Sequence, residues 1–294
     1  MITADANNWA EANQRYLMAR LAVVRAVLQR HAARSQDTPV SQPSERELED
    51  NLRQAKEAMP APAALDTLCA AFGLSPFERD LLLLTAGMDL DSSFPSLCAS
   101  AQGQQQRACP TFSLALAALP DAHWSAITPA APLRHWRLVE VGLGDTLTTS
   151  PLRIDECVLH FLTGISYLDE RLQGLVDLEP APADLPPSHH RSAERIAGIW
   201  AQTAPGSLPV VHLAGDEIAG KRAVAAFACA STGMQLRVLR AADVPSNAAE
   251  REALSRFCER DGVLNRSAVL VECDEVENRR PALSFLEHTR GFLL

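Results

Sequence analysis

A glycine-rich stretch in the second half of the chain, HLAGDEIAGKRAVAA from His212, has the spacing of a phosphate-binding loop. Gly215 is followed by four residues and then by Gly220 and Lys221. In such loops the backbone N–H groups converge on phosphate oxygens, the dipole of the following helix adds positive charge, and the lysine reaches the terminal phosphates. The spacing therefore predicts a site for ATP or ADP that includes Gly215, Gly220, Lys221 and the adjoining Arg222.

A second stretch, AVLVECDEVE from Ala268, has the form of the acidic element that accompanies such loops. Asp274 and Glu275 follow a run of apolar residues that predicts a strand. In a working site the aspartate supports Mg²⁺ and the glutamate polarises the attacking water. We therefore expect Asp274 to support the metal if Mg²⁺ binds, and Glu275 to be catalytic if the site is active.

Several residues argue against hydrolysis at this site. Arg222 stands where a Ser or Thr hydroxyl normally holds Mg²⁺. A guanidinium about 4 Å from a dication would be repelled by several kcal/mol at an effective dielectric constant of about 20. Asp216 and Glu217 place carboxylates where a polyphosphate would lie, and Glu272 interrupts the apolar run before the acidic pair. We expect a damaged nucleotide site that disfavours Mg²⁺, and no ATP turnover by this chain alone.

A simpler interpretation of the loop is that Gly215 and Gly220 only turn a strand into a helix, with Lys221 in solvent. A single loosely matching loop favours that interpretation. Two elements in the expected order, each at the end of a predicted strand, favour a nucleotide-binding fold instead.

The elements around the loop alternate between strands and helices. The pattern predicts helices over 193–202, 220–231, 248–264 and 279–290, and strands over 208–215, 234–241 and 267–275. Strands that alternate with helices of this length indicate a parallel sheet wrapped in helices, here an α/β module of the P-loop, AAA-like type.

The first half of the chain has a different pattern. A helix is predicted over 8–32, a capping box at Ser44 and Glu47, and then short helices separated by Gly73, Ser75-Pro76 and Gly87. A strand over 133–141, a turn with a second short strand, and a helix from Asp155 complete this half. Helices followed by a hairpin are the layout of a winged helix. An unrelated helical domain with one hairpin fits the pattern equally well.

A proline-rich stretch, DLEPAPADLPPSHHRS, separates the two halves. Prolines disfavour a regular helix or central strand and favour an extended spacer. We therefore predict a helical winged-helix-like domain over 1–177, a linker over 178–190 and a degenerate nucleotide-binding module over 191–294. The apolar end HTRGFLL has the pattern of a new strand, so we expect this module to be truncated.

The overall composition excludes some classes of function. The formal net charge is −9, which disfavours non-specific binding to nucleic acid or to anionic membranes. Seven scattered cysteines with no CxxC pair indicate reduced thiols rather than a disulfide or zinc framework. There is no secretory leader pattern, and no apolar run is long enough to span a bilayer. We expect a cytoplasmic protein.

With these residues in place, the chain resembles the N-terminal half of a bacterial AAA+ ATPase that has an N-terminal winged-helix-type domain and is associated with contractile injection systems. The resemblance covers most of residues 9 to 170, and it extends to a first, degenerate ATPase-like module. The stretches that carry it are WAEANQRYLMARLAVVRAVL, FGLSPFERDLLLLTAGMDLD, PTFSLALAALPDAHWSAITPAAPLRHWRLVEV, SPLRIDECVLHFLTGI, GDEIAGKRAVAA and VLVECDE.

The resemblance implies a hexamer-forming ATPase that remodels or disassembles a protein assembly, with an intact ATPase module after Leu294. The family's nucleotide-site roles transfer to Gly215, Gly220, Lys221, Asp274 and Glu275. Arg222 and Glu272 depart from the working pattern and argue against hydrolysis.

Three functions follow as hypotheses. The first is the regulatory, substrate-engaging N-terminal part of such an ATPase, and the second is a non-catalytic adaptor that binds a protein and no nucleotide. The third, a DNA-binding winged-helix regulator, is disfavoured because the candidate reading helix TFSLALAAL has no Arg, Lys, Asn or Gln for base edges. The adjoining wing offers only Arg153 to phosphate.

Overall fold

The computed structural model describes residues 2–36, 44–203, 208–274 and 277–294. The chain divides into two compact units, Met1–Ile165 and Ser166–Leu294. The stretch interpreted as a linker, 178–190, holds the end of a strand and the first turn of a helix, and it belongs to the second unit.

The first unit is mostly helical and contains one short hairpin. Its helices are α1 (Ile2–Gln36), α2 (Glu45–Glu57), α3 (Ala64–Phe72), α4 (Pro76–Leu90), α5 (Phe94–Ala101), α6 (Phe112–Ala118), α7 (Pro132–His135) and α8 (Glu156–Leu162), with a 3₁₀ turn over Trp124–Ile127. Its strands, β1 (Val139–Val141) and β2 (Leu152–Ile154), pair antiparallel, as the sequence predicts for a hairpin.

The long helix predicted over 8–32 is confirmed as α1, and its apolar face is buried. The side chains on this face recur at three- and four-residue spacing, and each is at most 2% exposed. They are Tyr16, Leu17, Leu21, Val24 and Leu28. Although α1 is long, none of the helices in the described residues combines the length and apolarity needed to cross a membrane.

Side-chain caps fix where several of these helices begin. The predicted capping box at Ser44 and Glu47 is confirmed at the start of α2. Ser75 and Glu78 form a second box at the start of α4, where Pro76 occupies the first turn. Asp155 caps α8 by accepting a hydrogen bond from its first turn.

Gly87, which the sequence interpretation placed between two helices, lies inside α4. A Cβ at this position would be 2.2 Å from Cε1 of Phe94. The glycine is therefore required by the close packing of the Phe94 ring, and the prediction of a helix break here is wrong.

The strand predicted over 133–141 is correct only for its last three residues. Pro132 instead starts the short helix α7, since proline fits the first turn of a helix. Arg137 has a φ of +49°, which turns the chain out of the helix just before β1.

The second unit is a small sheet with helices on both faces. Its strands are β3 (Val176–Glu179), β4 (Gln235–Arg240) and β5 (Ser267–Glu272), and its helices are α9 (Pro187–Gln202), α10 (Ile218–Ser231), α11 (Ala248–Leu264) and α12 (Arg280–His288). The strand order is β3-β4-β5. One face packs against α9 and α10 around Trp200, and the other packs against α11 and α12 around Phe257 and Phe285.

The sheet is mixed, whereas the sequence predicts a parallel one. β4 and β5 are parallel, with Gln235 opposite Ser267 and Arg240 opposite Glu272. β3 runs antiparallel to β4 at the edge of the sheet. It was missed because prolines follow it directly, and an edge strand that ends before its prolines tolerates them.

Residues 208–214 do not form the strand that the sequence predicts ahead of the loop. The N–H of Val211 donates to the carbonyl oxygen of Leu293 at 3.0 Å. Leu293 in turn forms a parallel bridge with Val269 of β5. Among the described residues, the segment therefore joins the sheet through this backbone hydrogen bond and through packing of Val211 and Leu213 against the core. Pro209 has no N–H to extend the pairing into a ladder.

Candidate functional site

The loop ahead of α10 turns at the first glycine of the phosphate-loop pattern. Gly215 has a φ of +154°, a conformation that side chains with a Cβ rarely adopt. The helix then begins at Ile218, and the N–H of Lys221 donates to the carbonyl oxygen of Glu217 at 3.2 Å. Gly220 consequently lies in the first turn of α10, so the turn before the helix is shorter than the sequence predicts.

Lys221 reaches across to the end of β5. Its Nζ lies 2.5 Å from Oδ1 of Asp274, a residue 53 positions further along the chain. The lysine side chain is 15% exposed and the aspartate side chain is 36% exposed. The loop and the acidic element that the sequence paired are thus in direct contact.

Arg222 makes a second connection between the same two elements. Its Nε and Nη2 donate to Oε1 and Oε2 of Glu272 at 2.5 and 2.7 Å, which is a two-pronged ion pair. Its Nη1 also lies 3.4 Å from Oε2 of Glu179, the last residue of β3. The hydrogen bonds to Glu272 raise the pKa of Arg222 above its ordinary value, so the guanidinium is charged at every physiological pH.

These contacts gather five charged side chains around the first turn of α10. The carboxylates belong to Glu179, Glu272 and Asp274, and the cations belong to Lys221 and Arg222. Since each cation already faces a carboxylate, an anionic ligand must compete with these carboxylates for the loop. Within the described residues, no group of His, Cys, Asp and Glu side chains is arranged to hold a metal ion.

A cavity of about 470 Å³ opens beside the charged group. Lys221 and Asp274 form part of its wall, and apolar residues such as Leu213, Leu270 and Leu283 form most of the remainder. The space therefore combines an apolar floor with a charged end, which is the make-up of many small-molecule sites.

The structure brings the site residues predicted from the sequence close together, with one exception. Gly215, Gly220, Lys221 and Arg222 lie on the loop and the first turn of α10, and Asp274 contacts the loop directly. Glu275 lies outside the described residues, so its predicted catalytic role has no structural description.

Two contacts of the candidate site were missed by the sequence interpretation. Glu272 was interpreted as a flaw in the acidic element, whereas it is the main partner of Arg222. Its spacing of two residues from Asp274 was the available signal, because alternate residues of an extended chain face the same side. Glu179 gave no such signal, since it lies in the stretch interpreted as a linker.

A comparison with known protein families identifies the family of the chain. The family model described as "Winged helix domain, variant" matches residues 5–176, which is more than half of the chain. The chain belongs to this winged helix family. No curated protein and no solved structure matches it.

The winged helix match confirms the first of the two interpretations of the N-terminal half and excludes the unrelated helical domain. The hairpin of β1 and β2 lies within the matched residues, and the match ends at residue 176, at the start of β3. The loop and acidic residues of the second unit therefore lie outside the matched region, and the family description assigns them no role.

The helix that the sequence singled out as a candidate reading helix is mostly buried. Phe112, Leu114, Ala115 and Ala118 of α6 are buried. Arg153 is exposed on β2.

Proposed function

We propose that the chain is the N-terminal regulatory part of an AAA+ ATPase of the type associated with contractile injection systems. In this proposal the winged helix domain engages the protein assembly that is remodelled. The second unit is a P-loop-type nucleotide-binding module that holds ATP or ADP without hydrolysing ATP alone. The complete ATPase acts as a homo-oligomer, and the resemblance implies a hexamer.

The contact between Lys221 and Asp274 is the observation that supports this proposal. A loop that only turned the chain into α10 would leave its lysine in solvent, whereas this lysine side chain is 15% exposed and lies against the acid that follows β5. A phosphate loop and an acidic element need this juxtaposition, because both must reach the same phosphate group.

Arg222 is the reason that the proposed site does not hydrolyse ATP. A hydroxyl at this position would hold Mg²⁺ between the loop and the phosphates. Arg222 supplies a charged guanidinium instead, and that guanidinium is bound to Glu272. Without a metal to neutralise the transferred phosphoryl group, the main electrostatic contribution to hydrolysis is missing.

Calorimetric titration with ADP and ATP, together with a phosphate-release assay, tests the proposal. The chain has two lysines, Lys56 and Lys221, so Lys56→Ala is a matched control for Lys221→Ala. We expect saturable binding to the wild type and to the control, binding weaker by about tenfold or more in Lys221→Ala, and no phosphate release. Steady hydrolysis that is lost in Lys221→Ala would refute the inactive site, and no binding to the wild type would refute the nucleotide module.

A non-catalytic protein adaptor is the second candidate function. It is favoured by large apolar side chains on the surface of the winged helix domain, where Leu143 is 100% exposed and Trp124 is 62% exposed. Tryptophan is among the side chains that most often anchor protein interfaces. The adaptor predicts no nucleotide binding, so the same titration separates the two candidates.

A further inference from the structure

A magnesium ion does not fit at Glu272, the carboxylate that ends β5. Magnesium needs carboxylate oxygens about 2.1 Å from the metal in near-octahedral geometry. Both oxygens of Glu272 are already directed at Arg222, at 2.5 and 2.7 Å. An ion at the same oxygens would sit against a guanidinium, and like charges at that separation repel strongly.

The guanidinium itself makes the connections that a metal makes in other phosphate-binding sites. A bound cation joins ligands from separate elements, and Arg222 joins α10 to Glu272 of β5 and to Glu179 of β3. Its planar fork matches a carboxylate with two parallel hydrogen bonds, which a lysine cannot reproduce. The carboxylate is the sheltered partner, since the side chain of Glu272 is 14% exposed and that of Arg222 is 36% exposed.

We propose that the guanidinium of Arg222 replaces the divalent cation at this end of the sheet, so that nucleotide phosphates bind there without metal. This inference rests on the proposed nucleotide site, and it names Arg222 as the source of the positive charge that a metal ion would otherwise supply there. Lys221 remains the group that meets the phosphate, and it exchanges its contact with Asp274 for one with the ligand. Arg222 keeps Glu272 neutralised, which removes the repulsion that this carboxylate would otherwise exert on a phosphate.

The wild-type chain provides the first test and needs no variant to fold. ADP is titrated in the presence of EDTA and again in millimolar Mg²⁺. We expect affinities that agree within about twofold, because the cation is already part of the protein. A gain of about tenfold or more on adding Mg²⁺ would overturn the inference.

Arg222→Thr provides the second test, because it restores the usual hydroxyl and releases Glu272. In EDTA we expect the melting temperature of the variant to be lower than that of the wild type. Adding Mg²⁺ should raise the melting temperature of the variant part of the way back and leave that of the wild type unchanged. Arg256→Thr is the matched control, since it removes an arginine of α11 that is paired with the exposed Glu252 at 3.0 Å, away from the charged site. Its melting temperature should not respond to Mg²⁺.

The melting experiment separates this inference from the proposed function. If ADP does not bind the wild type in either condition, the nucleotide module is refuted, while the response of Arg222→Thr to Mg²⁺ still decides the role of Arg222. Stabilisation of the wild type by Mg²⁺, or an Arg222→Thr variant that folds and does not respond to Mg²⁺, would overturn the replacement of the metal by Arg222.

Discussion

Asp169 is a buried carboxylate of the second unit that holds two arginines, and its replacement by asparagine tests how that unit is stabilised. Its Oδ1 accepts hydrogen bonds from Nε and from the backbone N–H of Arg171, at 2.8 and 2.9 Å. Its Oδ2 accepts from Nη2 of Arg260, whose side chain is 1% exposed. Both guanidinium groups also lie over the ring of Phe257.

The expected cost of Asp169→Asn follows from the burial of Arg260. Removing one partner of a buried ion pair costs about 3–5 kcal/mol, because the remaining charge stays in a poorly solvated place. Asparagine keeps one oxygen that can accept from the N–H of Arg171, and that arginine is partly solvated. We therefore expect a loss of about 3 kcal/mol in the free energy of unfolding of the second unit.

Amide hydrogen exchange measured by mass spectrometry follows the second unit separately from the winged helix domain. A loss of about 3 kcal/mol corresponds to exchange about a hundredfold faster in β4 and β5. Asp243→Asn is the control, since it breaks the exposed pair with Arg240 in the same unit. If Asp169→Asn accelerates exchange no more than the control does, the buried pair does not stabilise the second unit.

The same carboxylate predicts a dependence on pH. Burial alone would raise the pKa of Asp169, but the hydrogen bonds from Arg171 and the charge of Arg260 outweigh it and lower the pKa. Its stabilising effect is therefore complete above about pH 4 and is lost as the pH falls through the lowered value. The difference in stability between the wild type and Asp169→Asn should shrink on acidification, and a difference that grows would contradict this sign.

Two substitutions test the packing of the winged helix domain by thermal unfolding. Gly87→Ala should destabilise it by about 1–3 kcal/mol, because the new methyl group overlaps the ring of Phe94, and an unchanged melting temperature would contradict that packing. Asn13→Ala should cost about 3 kcal/mol, since its buried amide accepts from the N–H of Ala64 and donates to the carbonyl oxygen of Leu162, both at 2.9 Å. A loss of less than about 1 kcal/mol would mean that water replaces these bonds.

Elements with strong local signals could be predicted from the sequence. The helix predicted over 248–264 is α11 with the same limits, because Asn247 caps its first turn and its periodicity is long. The short strand β3 could not be predicted, since its pairing with β4 depends on a contact made after a long separation in sequence. Gly87 was wrongly predicted to end a helix for a similar reason. A glycine at that position suggests a helix break, whereas its role is set by contact with the Phe94 ring.

The candidate site divides in the same way. The spacing of Gly215 and Lys221 and the acid at 274 identified the two elements, and they are in contact. The ion pair of Arg222 and Glu272 could not be predicted. Arg222 was interpreted only as a departure from the loop pattern, and Glu272 only as a departure from the acidic element. The parallel pairing of β4 with β5 and the position of α10 bring Arg222 and Glu272 together, and their opposite charges neutralise each other.

Acylation of lysine amines, followed by mass spectrometry, tests the nucleotide site most directly. Lys221 and Lys56 are the two lysines of the chain, and Lys56 is exposed in the other unit, so each molecule carries its own control. The proposed site predicts that saturating ADP in EDTA slows acylation of Lys221 by about tenfold or more and leaves Lys56 unchanged. Equal rates at Lys221 with and without ADP would contradict the claim that this loop binds nucleotide phosphates.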